Sequence, residues 1–139
     1  MHTYQSEKLV RFQHCDPGGV VFTPQYFNLF TEVMEDWFDE VIDFSFSEMV
    51  VKQNYGVPAM KIVAKFYKPS FLGDRLVFET VLKRLKRNNI ELQLTAQYLG
   101  EKRCTVNFLL GFADLRTKTL TNWPDEVYIR LKNLVTEIQ

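Results

Sequence analysis

The sequence predicts an α+β fold in which a curved antiparallel sheet wraps around one long central helix. One amphipathic helical segment lies between residues 24 and 43, and strand-like segments with apolar residues at every second position follow it. The turns between these later segments are short, which implies antiparallel pairing, and a sheet that is apolar on one face needs a helix laid across it. The chain has 139 residues, and we expect a single domain over residues 1–139.

Charge and composition exclude several classes of partner. Lys and Arg total 17, as do Asp and Glu, so no net charge favours binding to nucleic acid or to an anionic membrane. The N-terminal segment lacks an apolar core of signal-peptide length, and no uninterrupted run of about 18 apolar residues occurs. We therefore expect a cytoplasmic protein with no nucleic-acid or membrane partner. Cys15 and Cys104 are expected to be reduced thiols, since a core of this size needs no disulfide.

The first strand is predicted over residues 3–13, and the long helix follows a short glycine-bearing loop. Thr23 suits the helix N-cap, and Pro24 suits the first helical position, where a missing N–H costs nothing. A helix of roughly 20 residues is about 30 Å long. Its apolar residues recur with a period of 3.6 and form one broad face. This face comprises Tyr26, Phe27, Phe30, Val33, Met34, Trp37, Phe38, Val41 and Ile42.

After the helix, a mixed connector leads to four predicted strands and a short final helix. Gly56 and Pro58 mark the turn before the first of these strands. Asn88-Asn89 is predicted to form a tight hairpin turn with positive φ angles, and Gly100-Glu101 the next turn. The final helix is predicted from about Pro124 to Ile138. The apolar faces of the four strands are Met60, Ile62, Ala64, Phe66; Leu76, Phe78, Thr80, Leu82; Ile90, Leu92, Leu94, Ala96, Tyr98; and Val106, Phe108, Leu110, Phe112, and that of the final helix Val127, Ile129, Leu131, Leu134, Val135.

The loop before the long helix carries the main candidate for chemistry. Asp16 precedes Gly18 and Gly19, so the backbone can turn sharply and approach a ligand. Asp and Gly are also ordinary turn residues, and their spacing alone is compatible with a structural turn. The loop ends at a helix N-terminus, however, whose unpaired N–H groups favour a developing negative charge. A carboxylate beside such a terminus can act as base or nucleophile while the amides bind an oxyanion.

The segment HCDPGGVVFTPQYF, residues 14–27, strongly resembles the 4-hydroxybenzoyl-CoA thioesterase branch of the hotdog-fold superfamily. Members of that family carry a Cys-Asp-Pro-small-Gly-aliphatic-Val-aromatic segment followed by a long helix, and the predicted element order matches over the whole chain. The resemblance implies a hotdog fold and an acyl-CoA thioesterase that needs no cofactor or metal. It also implies a homodimer or homotetramer with its active sites at subunit interfaces.

The resemblance assigns roles to individual residues. Asp16 matches the catalytic carboxylate, which acts as general base or nucleophile, and Gly19 matches the loop glycine. Thr23 matches the position whose backbone N–H points at the thioester carbonyl, and Pro24 has no N–H to offer. His14 stands where the family often has an acidic residue, two positions before the catalytic Asp.

His14 and Cys15 admit other interpretations. Two residues apart in an extended segment, His14 and Asp16 can face the same way and form an acid–base pair, as an enoyl-thioester hydratase of the same fold would need. Alternatively, His14 caps the loop or packs against the first strand. Cys15 is a poor candidate for a nucleophile because the adjacent carboxylate raises the pKa of its thiol. No metal site is expected, since His2 and His14 are the only histidines and no ligand spacing recurs.

Lys83, Arg84, Lys86 and Arg87 form the densest basic cluster, which alone is typical of a solvated strand end. In the resembling family, residues at this strand end contact the nucleotide phosphates of coenzyme A. Lys86, Arg87 and Asn88 match those positions, with Asn88 standing where a basic residue is expected.

Three aromatic residues are candidates for the acyl pocket. Phe22, Tyr26 and Phe66 can line a pocket for an aryl or medium-length acyl group, or they can be core residues, which is the commoner fate of such side chains. A non-catalytic acyl-CoA or acyl-carrier binding protein, in which Asp16 only shapes the loop, remains a second class of function.

Overall fold

The computed structural model, which describes residues 2–136, is a mixed α+β structure with a curved antiparallel sheet. Five strands form the main sheet in the order β1-β4-β5-β6-β3, and three short strands form a second sheet in the order β2-β7-β8. The elements are β1 (Thr3–Leu9), α1 (Gln25–Glu40), β2 (Tyr55–Gly56), β3 (Ala59–Phe66), β4 (Arg75–Lys86), β5 (Asn89–Tyr98), β6 (Glu101–Gly111), β7 (Ala113–Asp114), β8 (Thr119–Leu120) and α2 (Asp125–Thr136).

The central strands follow the predicted alternation. In β4, β5 and β6, every second side chain is buried against the helices, because successive side chains of a strand point to opposite faces. Antiparallel registers join β1 to β4, β4 to β5 and β5 to β6. The predicted face residues in these strands are buried except Tyr98, which is half-buried.

The expectation of a buried face on β3 is wrong. Met60, Ile62 and Phe66 are all exposed, and Val63, on the opposite face, is exposed as well. The physical reason is that β3 lies at the edge of the sheet, where within residues 2–136 it pairs only with β6, whereas the helices pack mainly on β4.

Two hairpin turns lie one residue earlier than predicted. Lys86 pairs with Asn89, so the first turn consists of Arg87 and Asn88, and neither has a positive φ angle. The second turn consists of Leu99 and Gly100, with φ angles of 50° and 79°. Positive φ at both turn residues gives a twist that matches the strands.

The start of α1 also differs from the prediction. Pro24 occupies the N-cap position, helix α1 begins at Gln25, and no side chain caps it, so Thr23 is not an N-cap. The backbone instead turns into the helix through a hydrogen bond from Gln25 N–H to Phe22 O at 2.7 Å. The helix has 16 residues and ends before Val41.

Both helices contribute to one hydrophobic core with the main sheet. The face of α1 includes Leu29, which the predicted face lacked, and Phe27 is only partly buried. The ring of Phe30 meets that of Phe78 on β4 edge-on at 5.4 Å between centroids. At the other end of α1, Phe38 stacks on Trp123, which precedes α2, at 6.5 Å.

The remaining segments differ in detail from the sequence prediction. The first strand ends at Leu9, and a 3₁₀ turn, Phe12–His14, follows it. The connector after α1 contains a π-helical turn, Ser47–Lys52. In α2, Ile129 is exposed rather than part of the buried face, and Ile138 lies outside the described residues.

Cys15 and Cys104 are both free thiols, with no disulfide between them. No helix within residues 2–136 combines the length and apolarity needed to cross a membrane.

Candidate active site

The loop that contains Asp16 is held by backbone hydrogen bonds on both sides. Asp16 N–H donates to Val20 O at 2.9 Å, and Phe22 N–H donates to His14 O at 2.9 Å. Gly19 adopts a φ of +82°, a conformation that side chains rarely tolerate, so the glycine has a structural reason at this position. The loop therefore places Asp16 in a closed turn just before α1.

The Asp16 carboxylate is exposed, and one of its oxygens serves the loop. Oδ1 accepts hydrogen bonds from Gly18 N–H at 2.9 Å and from Val20 N–H at 3.3 Å. The turn interpretation thus describes Oδ1 correctly, while Oδ2 makes no hydrogen bond to any described residue. A carboxylate held in this way has one fixed oxygen and one oxygen available to a water or a substrate.

Thr23 supplies an unused backbone donor at the start of α1. The N–H groups of Phe22 and Gln25 both have backbone acceptors, whereas that of Thr23 has none in the part of the chain that is described. Unpaired N–H groups at a helix start favour negative charge. Pro24 adds no donor, so Thr23 N–H is the candidate for an oxyanion contact.

His14 is buried, with 4% of its surface exposed, and belongs to the 3₁₀ turn. Its Nδ1 accepts a hydrogen bond from Arg11 N–H at 2.9 Å, and no hydrogen bond joins it to Asp16. Burial lowers the pKa of His14, with Glu32 on α1 opposing that shift and Arg11 adding to it. His14 therefore caps the turn that leads into the loop, as one of the sequence-based interpretations expects.

Cys15, which follows the same turn, is a poor candidate for a nucleophile in the structure. Its Sγ donates to Arg11 O at 3.5 Å, and burial together with the Asp16 charge raises the pKa of the thiol. A raised pKa leaves little thiolate. Within residues 2–136, no three His, Cys, Asp or Glu side chains lie close enough together to hold a metal ion.

A cleft of about 310 Å³ opens beside the start of α1. It brings together Thr23, Tyr26 and Phe66, three of the predicted site residues, and the rings of Tyr26 and Phe66 are 5.8 Å apart. Phe22 is exposed and lies outside the lining. The wall is completed by Val20, Val21, Tyr67, Lys68 and Pro69.

Ser70 is a residue that the sequence did not indicate. It is fully buried, its Oγ accepts a hydrogen bond from the Tyr26 hydroxyl at 2.7 Å, and its carbonyl accepts one from Val21 N–H at 2.9 Å. Ser70 thus ties the cleft wall to both α1 and the loop. A single serine after Pro69 carries no pattern in the sequence that distinguishes this role from an ordinary loop position.

The basic hairpin lies at the other end of α1. Trp123 donates hydrogen bonds to Lys86 O and Arg87 O, at 3.1 and 2.9 Å, and Phe112 N–H donates to Asn88 O at 2.8 Å. Trp123 stacks on Phe38 near the end of α1, about 20 Å along the helix axis from its start. A single copy of the chain therefore does not bring Lys86, Arg87 and Asn88 next to Asp16.

Comparisons with known proteins agree with this architecture. A family model described as the thioesterase-like superfamily matches residues 10–131. No match was found among curated proteins. A DHNA-CoA thioesterase from Staphylococcus aureus has a similar structure, with a TM-score of 0.87 and 20% sequence identity, covering 100% of this chain and 97% of that one.

Two further solved structures share the fold. A 1,4-dihydroxy-2-naphthoyl-CoA thioesterase from Synechocystis has a TM-score of 0.81 and 16% identity, covering 96% of this chain and 98% of that one. A hypothetical protein from Staphylococcus aureus, solved in complex with CoA, has a TM-score of 0.88 and 13% identity, covering 97% and 85%. At these identities, the similarity shows a common fold.

Proposed function

Because the chain belongs to the thioesterase-like superfamily, we propose that it hydrolyses an acyl- or aryl-CoA thioester to the free carboxylic acid and coenzyme A. The observation that carries this proposal is that the segment leading into α1 presents two groups without a described hydrogen-bond partner, Oδ2 of the exposed Asp16 and the N–H of Thr23. Asp16 lies within the turn that Phe22 N–H closes onto His14 O, and Thr23 directly follows that turn.

In the proposed reaction, Asp16 acts as general base or as nucleophile. As a base, it takes a proton from a water molecule whose oxygen attacks the thioester carbonyl carbon. As a nucleophile, its own oxygen attacks, and water then cleaves the resulting anhydride. In both routes, the carbonyl oxygen becomes an oxyanion that Thr23 N–H stabilises. Collapse of this intermediate breaks the C–S bond and releases the thiolate of coenzyme A, which takes up a proton from protonated Asp16 or from water.

The cleft beside Thr23 is the proposed acyl site. Tyr26 and Phe66 give it two aromatic walls, which suit an aryl or medium-length acyl chain. Gly19, with its positive φ angle, shapes the loop that carries Asp16. Phe22 is exposed at the loop, and we propose that it covers the acyl group from outside. We propose that the protein has a hotdog fold, in which α1 is the central helix.

We propose that the working unit is at least a homodimer formed through β3. The strand has eight residues, an open edge and apolar side chains on both faces. An exposed apolar edge strand readily pairs with another strand, and pairing with a second copy would bury it. A homotetramer, also expected from the resemblance, would contain two such dimers.

Antiparallel β3–β3 pairing would also bring the two halves of the site together. Ala59 of β3 pairs with Leu110, next to the 87–88 hairpin, while Phe66 lies at the opposite end, near the Asp16 loop. Across a two-fold axis, the hairpin end of one sheet lies beside the loop end of the other. In this proposal, the partner's Lys86, Arg87 and Asn88 hold the nucleotide phosphates while Asp16 acts on the thioester as general base or nucleophile.

A panel of CoA thioesters assayed with a thiol-trapping dye tests the proposed reaction. Aryl-CoA and short-, medium- and long-chain acyl-CoA substrates should be compared, since the 310 Å³ cleft leads us to expect release of the thiol from aryl or medium-length groups. Enoyl-CoA should not be converted to a hydrated product, since such a product would indicate the hydratase alternative. Tight binding of these compounds without release of thiol would instead support the acyl-binding alternative. The cytoplasmic location stays a prediction.

A further inference from the structure

The guanidinium of Arg87 is not free in solvent but lies against helix α2. Its central carbon is 4.3 Å from the ring centroid of Tyr128, within the range of a cation–π contact. Its Nη2 is 4.0 Å from Oδ1 of Asp125 in the first turn of α2. The side chain is still 54% exposed, so another ligand can reach it.

The two contacts use different parts of the guanidinium. A ring stacked against the planar group occupies one face and leaves the N–H groups in the plane available for hydrogen bonds. A carboxylate uses those N–H groups, which are also the groups that bind phosphate. Tyr128 is therefore compatible with a phosphate on Arg87, whereas Asp125 competes with it.

The backbone of the hairpin is held in place by hydrogen bonds. The contacts of the Arg87 side chain with Tyr128 and Asp125 differ in strength. Trp123 holds both Lys86 O and Arg87 O, so the Arg87 side chain starts from a fixed point beside α2. Asp125 is 94% exposed and its ion pair is at the distance limit, so a doubly charged phosphate can displace it at small cost.

We propose that Tyr128 and Asp125 are positioning residues that set the affinity of Arg87 for the nucleotide phosphates of coenzyme A. Tyr128 orients the guanidinium with its N–H groups outward, and the Asp125 carboxylate forms a loose ion pair with it until substrate arrives. This inference rests on the proposed thioesterase function. It adds to that function a helix that the basic sequence cluster does not include.

The test compares each variant on two substrates. One is a CoA thioester, and the other is the N-acetylcysteamine thioester of the same acid, which lacks the nucleotide. Tyr128→Leu should raise KM for the CoA thioester roughly twofold to fivefold, the usual worth of an exposed cation–π contact. KM for the truncated thioester and kcat for both substrates should not follow this change. Tyr128→Phe, which keeps the ring, should have the same KM as the wild-type protein.

Asp125→Asn should shift KM for the CoA thioester in the opposite direction, lowering it by up to roughly fivefold. Glu126→Gln is the matched control, because it removes the same charge from the same helical turn and Glu126 makes no ion pair with a described residue. KM should be unchanged in that control. An equal decrease in both variants would mean a general charge effect and would overturn the role of Asp125.

A double-mutant cycle separates orientation from folding. In an Arg87→Ala background, Tyr128→Leu should have no further effect on KM if the ring acts through Arg87. An undiminished effect in that background, or an equal loss with the truncated thioester, would overturn the inference. Hydrolysis of the truncated thioester by the wild-type protein reports the proposed function separately, so its failure cannot be mistaken for failure of this inference.

Discussion

The backbone N–H of Arg11 donates a hydrogen bond to Nδ1 of His14 at 2.9 Å, and this contact requires an unprotonated nitrogen. The carbonyl of the same histidine accepts the N–H of Phe22 and thereby closes the loop around Asp16. His14 thus connects the segment after the first strand to the residues before α1 without a hydrogen bond to the Asp16 carboxylate.

The stability of the protein should fall in mild acid. Burial lowers the pKa of His14 in the folded state, so the unfolded chain binds a proton there more readily than the folded chain. The contribution of His14 is therefore fully present above its ordinary pKa of about 6.5 and decreases as pH falls below that value. Urea unfolding at pH 7.5 and pH 5.5 measures the difference. His14→Gln should show a smaller difference, and an equal one would assign the effect to other groups.

The same substitution should leave thioester hydrolysis largely intact. If His14 only supports the loop, His14→Gln loses well under the hundredfold in kcat that removal of a general acid–base group typically costs. Steady-state kinetics with the best CoA thioester gives the value. A loss as large as that caused by changing Asp16 would instead support a His14–Asp16 acid–base pair.

Replacing Arg87 by Ala should raise KM for CoA thioesters by roughly tenfold to a hundredfold while kcat stays nearly constant. Phosphate contacts far from the carbonyl bind the ground state and transition state alike, and a hydrogen bond to a charged group contributes roughly 1.5–3 kcal/mol. The effect should shrink at high salt because of screening. Lys83→Ala is the control, since Lys83 belongs to the same basic run but lies before the hairpin. Equal KM values for wild type and Arg87→Ala at low salt would mean that the hairpin is only a solvated strand end and does not bind phosphate.

Light scattering at micromolar concentration should show at least a dimer. Ile62→Lys introduces a charge into the open edge of β3, which disfavours strand pairing, and should yield monomers that have lost CoA thioesterase activity. Val51→Lys makes the same kind of change at a side chain that is 76% exposed in the π-helical turn. It should leave assembly unchanged. An active Ile62→Lys monomer would disprove the shared site.

The central sheet was predictable because apolar residues occupy every second position in its strands, and this alternation predicts which side chains are buried. Phe78 and Leu92 are buried where alternation places them. The prediction failed for β3, because alternation says which residues share a face but not whether anything covers that face. Thr23 has the chemistry of a helix cap, yet the backbone turn from Phe22 O to Gln25 N–H starts the helix without it.

The candidate site was predictable only in part for a similar reason. The Asp16 loop and the start of α1 are contiguous, so one segment of sequence contains both Asp16 and Thr23. Ser70 comes from a distant part of the chain, and its contact with Tyr26 depends on tertiary packing. The pairing of Arg87 with Tyr128 is equally remote in sequence, since it joins a hairpin to a helix about 40 residues later.

The sharpest test of the catalytic proposal is Asp16→Asn rather than Asp16→Ala. Oδ1 of Asp16 accepts the N–H groups of Gly18 and Val20, so alanine would remove loop hydrogen bonds together with the carboxylate. Asparagine keeps an acceptor oxygen for the loop but has no basic or nucleophilic carboxylate oxygen. We expect kcat to fall at least about a hundredfold, with unchanged assembly and urea midpoint. Hydrolysis at close to the wild-type rate in folded Asp16→Asn would leave Asp16 as a loop residue and place any chemistry elsewhere.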